Sequence, residues 1–340
     1  MQYLYKFDKS SKKYMCPQCQ RKTFVRYVNI KTGELLNFKF GRCDREKKCG
    51  HIATPKGDLI RFEEIRYTPP SPTSYHSYDL FRKSKMNYKQ NKLVLYLRTI
   101  FSHIQVQDLI EKYSIGTSKY WPGATVFWQV DDMKKIRHGK IMLYNEMTGK
   151  RAKTKSGRAY ISSVRAILKL ENFNLKQCLF GLHLVNEIDC SAVAIVESEK
   201  TAMIMSVFKP EYLWLATGSK SGFKYEYLYP LKTKKIIAFP DKGEYSDWLA
   251  KAVNLNNVGF NITVSQILEN TEYSEGFDLA DAFIEKLNDP GTSLSKIEIP
   301  TVTEMKVMKL AEKKPEIWKL IDTFDLEDHN GININRHQSL

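Results

Sequence analysis

Four short apolar runs alternate with helical stretches between residues 192 and 287, and this alternation constrains the fold more than any other feature of the chain. The runs are rich in branched and aromatic residues, which favour buried strands, whereas the intervening stretches carry apolar residues at helical spacing. Strands that alternate with helices form a parallel sheet covered on both faces. The sequence therefore predicts an α/β fold with strands at 192–196, 212–216, 235–239 and 261–267, and helices at 201–208, 246–254 and 279–287.

Polar and acidic residues follow these predicted strands. Glu197 follows the first strand, a Thr-Gly-Ser-Lys-Ser-Gly segment at 217–222 follows the second, and Asp241 follows the third, while Asp278 and Asp281 lie at the start of the last helix. Because the carboxyl ends of parallel strands meet at one edge, we expect these carboxylates to form an oxygen-ligand site suited to Mg²⁺ or Mn²⁺. The alternative is local, with Asp278 as a helix cap, Asp241 as a turn former and Glu197 as a solvated loop residue.

Four of the six cysteines lie near the N-terminus, in the pattern C-x2-C followed after 23 residues by C-x5-C. Thiolates at this spacing suit tetrahedral zinc, and strand-like runs at 23–30 and 35–40, joined by a turn at 31–34, predict a zinc ribbon. A module this small depends on its metal for much of its folding free energy. The predicted zinc ligands are Cys16, Cys19, Cys43 and Cys49, with His51 as the alternative to Cys49.

The formal charge of +15 is unevenly distributed. Residues 1–60 hold 14 Lys and Arg against 5 Asp and Glu, and residues 131–170 hold 11 against 3, whereas residues 191–290 hold 10 against 14. Basic segments beside an acidic one predict a polyanion held near a cation-dependent site. For the basic tract at 150–158 the alternative is a solvated loop. We predict contacts to single-stranded DNA from Arg26, Lys39 and Arg42 in the ribbon, and from Lys140, Lys150, Arg151, Lys153 and Lys155 in the middle of the chain.

The chain divides into five predicted segments. A zinc ribbon at 1–60 precedes a proline-rich linker at 61–90, a basic α+β segment at 91–187, the parallel α/β domain at 188–290 and a helical segment at 291–340. The basic segment is expected to hold antiparallel strands at 124–130 and 136–144 joined by a turn at 131–135, and 301–324 has helical periodicity with a second helix starting at Pro315. No apolar run reaches membrane-spanning length and the first residues do not form a signal peptide, which predicts a cytoplasmic protein.

Four short motifs together resemble the Toprim domain of bacterial-type and phage primases, topoisomerases and related nucleases. They are Val-Glu-Ser-Glu-Lys-Thr-Ala around Glu197, Ala-Thr-Gly-Ser ending at Ser219, Phe-Pro-Asp-Lys-Gly around Asp241, and Asp-Leu-Ala-Asp at 278–281. With the zinc ribbon and Leu-Phe-Gly-Leu-His at 179–183, the chain resembles a bacterial-type DNA primase, especially the primase-like proteins of mobile elements. The resemblance implies a cytoplasmic enzyme of a bacterial host cell. It would polymerise ribonucleoside triphosphates on single-stranded DNA with Mg²⁺ or Mn²⁺, and a separate replicative helicase is a candidate partner.

The resemblance also assigns roles to individual residues. Glu197 matches the invariant Toprim glutamate and Asp241 the first aspartate of the Asp-x-Asp motif, but Gly243 occupies the second aspartate position. The candidates to replace the missing ligand are Glu244, Asp247, Asp278 and Asp281. The predicted catalytic carboxylates are Glu197, Asp241, Asp278 and Asp281, the predicted Mg²⁺ or Mn²⁺ ligands are Glu197, Asp241 and Glu244, and the predicted triphosphate contacts are Lys200, Ser219, Lys220 and Lys242.

Two further functions fit the same residues. A Toprim nuclease would use these carboxylates to cleave DNA, and a non-catalytic zinc and Toprim protein would only bind it; Gly243 favours the second of these. No G-x-x-x-x-G-K-[ST] loop occurs, so a fused helicase is not expected. A topoisomerase would need a strand-passage gate, for which 340 residues leave no room.

Overall fold

The computed structural model describes residues 4–45, 47–55, 72–188, 190, 192–288, 299, 302–324, 326 and 334. They belong to two compact units, Met1–Pro70 and Ser71–Leu340. Most of the proline-rich stretch of the predicted linker, residues 67–71, lies outside the described residues. Later in that segment the chain forms helix α1 (Tyr78–Ser84), which the sequence analysis did not predict.

The first unit is a small antiparallel sheet. Its strands are β1 (Tyr5–Phe7), β2 (Tyr14–Met15), β3 (Lys22–Asn29), β4 (Gly41–Cys43) and β5 (Ile52–Ala53), in the order β1-β3-β4-β5 with β2 also paired to β3. The turn predicted at 31–34 is present, because the Gly33 N–H donates to the Asn29 carbonyl at 2.9 Å.

The prediction of a strand at 35–40 is wrong. Residues 36–40 form no strand, and β4 begins at Gly41. The Asn37 side chain accepts a hydrogen bond from the Lys39 N–H at 3.1 Å, and its carbonyl accepts one from the Phe40 N–H at 3.0 Å. An asparagine that bonds its own backbone in this way favours a turn over an extended chain. At Gly41 any Cβ would collide with the Val25 carbonyl, so β3 and β4 pair here only because the residue is glycine.

The described part of the second unit contains two four-stranded sheets, of which the first is antiparallel. Its strands are β6 (Gly116–Ser118), β7 (Ala124–Val130), β8 (Ile136–Met142) and β9 (Ile161–Ser163), in that order. The two predicted strands are confirmed, although β8 ends at Met142. Asp131 closes the predicted turn between them, since its carboxylate accepts from the N–H groups of Met133 and Lys135 at 3.0 and 2.8 Å. Helices α2 (Lys92–Ile100), α3 (His103–Tyr113) and α4 (Val164–Ile167) belong to the same part of the chain.

The second sheet is parallel throughout, as predicted. Its strands are β10 (Val193–Val196), β11 (Leu213–Ala216), β12 (Lys235–Ala238) and β13 (Asn261–Val264), in the order β11-β10-β12-β13. The helices that alternate with them are α5 (Glu199–Phe208), α6 (Tyr225–Leu228), α7 (Tyr245–Asn256) and α8 (Leu279–Asn288). Because β10 lies between β11 and β12, the residue that follows β10 is flanked by the loops that follow both neighbours.

One continuous core joins the two sheets. It runs from Leu93 on α2 to Ile299, and Trp214 on β11 is fully buried within it. The Tyr113 O–H donates to the Trp214 carbonyl at 2.9 Å, and Phe180 forms an isolated antiparallel bridge with Ala216. Each large apolar side chain buried in this way stabilises the fold by about 1.5–3 kcal/mol. The antiparallel and parallel sheets are therefore packed as one body.

Two helices follow near the C-terminus. They are α9 (Val302–Lys313) and α10 (Glu316–Phe324), and α10 begins directly after Pro315, which confirms the helix start predicted there. Within the ranges that the structure describes, no helix has the length and apolar character needed to span a membrane.

Candidate functional site

The four predicted zinc-ligating cysteines come together in the first unit. The Sγ atoms of Cys16, Cys19, Cys43 and Cys49 lie within 4.8 Å of one another, and His51 does not belong to this group. The Sγ atoms of Cys16 and Cys49 are 3.8 Å apart, and those of Cys19 and Cys43 are 3.9 Å apart. Four soft sulfur donors at this separation fit tetrahedral zinc. The alternative with His51 in place of Cys49 is therefore wrong.

Cys19 and Cys49 differ in how readily their thiols lose a proton. A hydrogen bond from the Arg21 backbone lowers the pKa of Cys19 to about 6, whereas burial raises the pKa of Cys49 to about 11. Cys16 and Cys43 are fully buried beside the Phe24 ring. Closely spaced thiols lose their protons together only when a cation neutralises them, so this donor set is suited to a metal ion.

A second group of titratable residues lies at the carboxyl edge of the parallel sheet. Asp241, which follows β12, has its pKa raised to about 8 by burial first, and then by the charges of Asp278 and Glu197. The loops after β10 and β12 and the start of α8 therefore bring three carboxylates within electrostatic reach of each other. Burial with like charges nearby is the arrangement that a bound cation relieves.

Glu197, which follows β10, is the second member of this acidic group. Burial raises the pKa of its carboxyl, while the charges of Lys220 and Arg151 oppose the shift. Its Oε2 is buried and has no hydrogen-bond partner among the described residues. A buried oxygen without a partner is costly unless a ligand or water completes it, so this atom is available to a cation or a substrate proton.

Asp278 and Asp281 occupy the start of α8. The Asp278 Oδ1 accepts from the Asp281 N–H at 2.9 Å, so Asp278 caps the helix as the local alternative expects. Its Oδ2 accepts from the Thr201 hydroxyl at 2.9 Å, which ties α8 to α5. Lys200 lies next to Thr201, and its Nζ is 3.5 Å from the Asp281 Oδ1. Each Asp278 oxygen accepts one hydrogen bond and keeps a second lone pair, so capping is compatible with membership of the acidic group. Sequence reasoning missed Thr201, since nothing in its local pattern points to α8.

Gly243 holds a backbone conformation that aspartate rarely adopts. Its φ is +90°, and its N–H donates to the Glu269 Oε2 at 2.9 Å. The preceding Lys242 donates from Nζ to the carbonyls of Glu269 and Thr271 at 2.7 and 2.6 Å. The loop after β12 is therefore built around a left-handed glycine and a lysine that secures the 269–271 segment.

The other candidate replacements for the missing aspartate differ in their partners. Glu244 forms an ion pair with Lys220, and Asp247 is paired with Lys251 at 2.6 Å. Among the neighbouring charges that raise the pKa of Asp241, that of Asp278 has the largest effect. The structure thus brings Asp278 to Asp241, while the carboxylate of Glu244 is engaged by a cationic side chain.

The predicted phosphate contacts on the loop after β11 surround the same edge. Ser219 lies in this loop, and its hydroxyl is 3.2 Å from that of Ser221. Lys220 stands next to it, and its charge acts on both Glu197 and Asp241. At Gly222 a Cβ would collide with the Thr217 carbonyl, so a glycine is needed to close the loop.

A basic cleft of about 490 Å³ lies beyond β8, in the stretch that contains the predicted DNA-binding tract. The charge of Arg151 acts on both Glu197 and Asp241, so the cleft lies close to the acidic group. Lys155 does not line the cleft but lies on an exposed turn at 154–158. Lining residues that carry charge are Lys92, Lys150, Arg151 and Lys153.

Lys140 has a different position from the rest of the predicted DNA-binding set. Its Nζ lies 3.0 Å from the Glu199 Oε2 and donates to the Gly218 carbonyl at 2.8 Å. Sequence reasoning missed Glu199 as a partner, because no local pattern links positions 59 residues apart.

The basic residues of the ribbon lie over aromatic rings. Arg26 is 4.9 Å from the Tyr14 ring, Arg42 is 5.0 Å from the Phe7 ring, and the Lys39 ammonium is 5.1 Å from the neighbouring Phe40 ring. Arg26 also donates to the Leu36 carbonyl. Cations held on aromatic faces make a surface on which both phosphates and bases can bind.

The acidic group fits a divalent cation by its chemistry. Carboxylate oxygens are the ligands preferred by Mg²⁺ and Mn²⁺, and Glu197 supplies a buried oxygen without a partner among the described residues. Across the part of the chain that the structure describes, only the four cysteines form a group of three or more His, Cys, Asp or Glu residues with ligand atoms all within 4.8 Å of one another.

Two segments of the chain match known families. Residues 3–63 match a family described as a zinc beta-ribbon finger, and residues 91–242 match a domain family of unknown function, DUF6371. No curated protein matches the chain.

Solved structures of phage and bacterial primase fragments are similar to this chain. The primase fragment of the bacteriophage T7 primase-helicase is 13% identical with a TM-score of 0.39, and the match covers 80% of this chain and 95% of that one. The zinc-binding and RNA polymerase domains of the Aquifex aeolicus primase are 13% identical with a TM-score of 0.34, covering 92% and 84%. A DnaG catalytic core is 11% identical with a TM-score of 0.41, covering 61% and 73%. At these identities and TM-scores the likeness carries no conclusion about activity.

Proposed function

We propose that this chain is a primase-type nucleotidyltransferase, which joins ribonucleotides into short primers on single-stranded DNA. The observation that carries the proposal is the group of buried and half-buried carboxylates at the carboxyl edge of the parallel sheet, where Asp241 has its pKa raised to about 8 by burial and by its acidic neighbours. In this proposal residues 188–290 form a Toprim-type catalytic domain. The ribbon at 1–60 binds the single-stranded DNA template.

Each carboxylate has a distinct task in this reaction. Asp241 and Asp278 would hold Mg²⁺ or Mn²⁺, since Asp278 is the main charged neighbour of Asp241 and Glu244 is engaged by Lys220. Bound there, the cation would neutralise charge on the phosphates of the nucleotide. Glu197 would accept the proton of the primer 3′-hydroxyl, because burial raises its pKa and its Oε2 has no hydrogen-bond partner among the described residues.

Proton and atom movements follow from these positions. The 3′-oxygen forms a bond to the α-phosphorus of the incoming nucleotide. The bond between that phosphorus and the oxygen that bridges it to the β-phosphorus breaks, and pyrophosphate leaves. The hydroxyl proton passes to Glu197. Lys220 and Arg151, whose charges already act on Glu197, are placed to hold the triphosphate.

Cation binding is linked to proton release at this site. Because the pKa of Asp241 is raised to about 8, its carboxyl is largely protonated near neutral pH, and a cation must displace that proton. Mn²⁺ affinity measured by calorimetry should therefore rise between pH 6.5 and pH 8.5, with protons released on binding. An affinity that does not change over this interval would argue against Asp241 as a ligand.

Primer synthesis tests the proposal directly. Wild-type protein is incubated with single-stranded DNA, labelled ribonucleotides and Mg²⁺ or Mn²⁺, and compared with Glu197→Gln and with Glu226→Gln, an exposed glutamate on α6. Short labelled products that disappear in Glu197→Gln and persist in Glu226→Gln support a primase. Shortened DNA without labelled product would indicate the nuclease, and binding without either product the non-catalytic protein.

A further inference from the structure

A buried ion pair connects the two sheets of the second unit. Lys140 projects from β8 of the antiparallel sheet, and its Nζ lies 3.0 Å from the Oε2 of Glu199, the first residue of α5. The Lys140 side chain is 16% exposed and that of Glu199 is 1% exposed. A pair this deeply buried loses most of its hydration, so Coulomb attraction alone gives it little net stabilising effect. The pair is better explained by the geometry that it enforces.

The same ammonium also holds the loop after β11. Lys140 donates to the Gly218 carbonyl at 2.8 Å, and the Gly218 N–H donates to the Glu197 carbonyl at 2.8 Å. Gly218 has a φ of +76°, and a Cβ at this position would lie 3.0 Å from the Glu199 Oε1. The peptide at Gly218 is therefore confined between the ion pair and the backbone of Glu197.

These contacts form one chain of connections that ends at the acidic group. It begins on the antiparallel sheet, passes through the ammonium of Lys140 to Gly218, and reaches the residue that follows β10. The next residues of the loop are Ser219 and Lys220, and the charge of Lys220 acts on Glu197 and Asp241. A shift of Gly218 would move both the backbone of Glu197 and the cation that faces the carboxylates.

We propose that Lys140 is a positioning residue, which with Glu199 fixes the 217–222 loop against Glu197, and that it does not contact nucleic acid. The inference rests on the proposed function only for its effect on catalysis. That Lys140 fixes the 217–222 loop, and that it does not contact DNA, can both be tested whether or not the protein makes primers. Lys150, which lines the basic cleft and has no part in the network, is the matched control.

Amide hydrogen exchange of the 217–222 loop and the salt dependence of DNA binding distinguish a positioning role of Lys140 from a DNA-contacting role. In Lys140→Met, amide hydrogen exchange in peptides covering 217–222 should be at least about tenfold faster than in the wild type, because the loop loses its ammonium donor. The slope of log affinity for single-stranded DNA against log salt concentration should not change. Lys150→Met should show the reverse, with unchanged exchange and a slope reduced by about 0.7.

The kinetics of primer synthesis give a third measurement of the role of Lys140. Lys140→Met should lower kcat with little change in KM for the nucleotide, as expected for a misplaced Glu197. If wild-type protein makes no primers, the proposed function fails, while exchange and the salt slope still decide the role of Lys140. A reduced salt slope in Lys140→Met, with wild-type exchange at 217–222, would overturn the positioning role.

Removing Lys140 alone leaves a buried carboxylate unpaired, which can prevent folding. The double variant Lys140→Met with Glu199→Gln removes both charges together; Gln has the length of Glu, and Met is one heavy atom shorter than Lys. It should fold, and exchange at 217–222 should still be faster than in the wild type, because the Gly218 carbonyl has lost its donor. Wild-type exchange in this folded double variant would also overturn the proposal.

Discussion

The Toprim resemblance matches Gly243 with an aspartate, and Gly243→Asp should destabilise the protein without improving its metal site. Gly243 has a φ of +90°, which an L side chain adopts only with strain. A Cβ at this position would lie 3.3 Å from Cγ and 3.7 Å from Cδ of Glu275. Gly243→Asp therefore combines an unfavourable backbone conformation with a second carboxylate next to an existing one.

The free-energy costs of the backbone conformation and of the carboxylate repulsion can both be calculated approximately from this geometry. A left-handed conformation costs a residue with a side chain about 1–2 kcal/mol relative to glycine. Two carboxylates about 4 Å apart in a solvated setting repel by about 1 kcal/mol. The free energy of unfolding should thus fall by about 2–3 kcal/mol, which lowers Tm by roughly 5–10 °C for a unit of this size.

Thermal unfolding and Mn²⁺ calorimetry measure the two halves of this prediction. Gly243→Ala should show only the backbone cost, and so should Gly276→Ala, where φ is +80° and no described atom lies within 4 Å of a Cβ. Mn²⁺ affinity of Gly243→Asp should not exceed that of the wild type. A variant with wild-type Tm and tighter Mn²⁺ binding would refute the reasoning, because position 243 would then be an open ligand site.

Three further predictions concern the ribbon, the buried His138 and the basic tract. Cys16→Ser should lose bound zinc, measured by elemental analysis, and should bind single-stranded DNA more weakly; unchanged affinity would remove the DNA-binding role of the ribbon. Burial lowers the pKa of His138 from 6.5 to about 4, so the unfolded chain binds a proton that the folded chain excludes. Stability should fall as pH drops from 6.5 to 4, by roughly 3 kcal/mol in all, and urea titrations of His138→Gln should show a smaller fall. Replacing four of the five basic side chains at 150–158 by alanine should reduce the salt slope of single-strand binding by up to about 2.8. An unchanged slope would contradict a groove for the backbone; the four are Lys150, Arg151, Lys153 and Lys155.

Local sequence pattern was sufficient for most of the regular structure. All four parallel strands and the three helices predicted between and after them are confirmed, because branched apolar runs and helical periodicity are properties of short segments. The strand predicted at 35–40 failed where a local hydrogen bond of Asn37 competes with extended backbone. The same pattern placed Glu197 and Asp241 at the ends of two parallel strands, and the structure shows that these strands are neighbours.

Contacts between distant segments were decided only by the tertiary structure. The sequence left Cys49 and His51 as alternatives, and the packing of the ribbon places the Cys49 Sγ with the other three thiols. It left several acidic residues as replacements at position 243, and the packing of α8 on α5 puts the charge of Asp278 within electrostatic reach of Asp241. Spacing along the chain does not report these distances.

The sequence by itself determined which residue types and elements this protein has: a four-cysteine ribbon, a parallel sheet with acidic strand ends, and basic segments around it. The tertiary structure decided which charges meet, and it paired Lys140 with Glu199 across 59 residues. The physical reason is that periodicity and capping act over a few residues, whereas the partner of a buried charge depends on how two sheets pack. Burial then makes that choice energetically important, because an unpaired charge in the interior is costly.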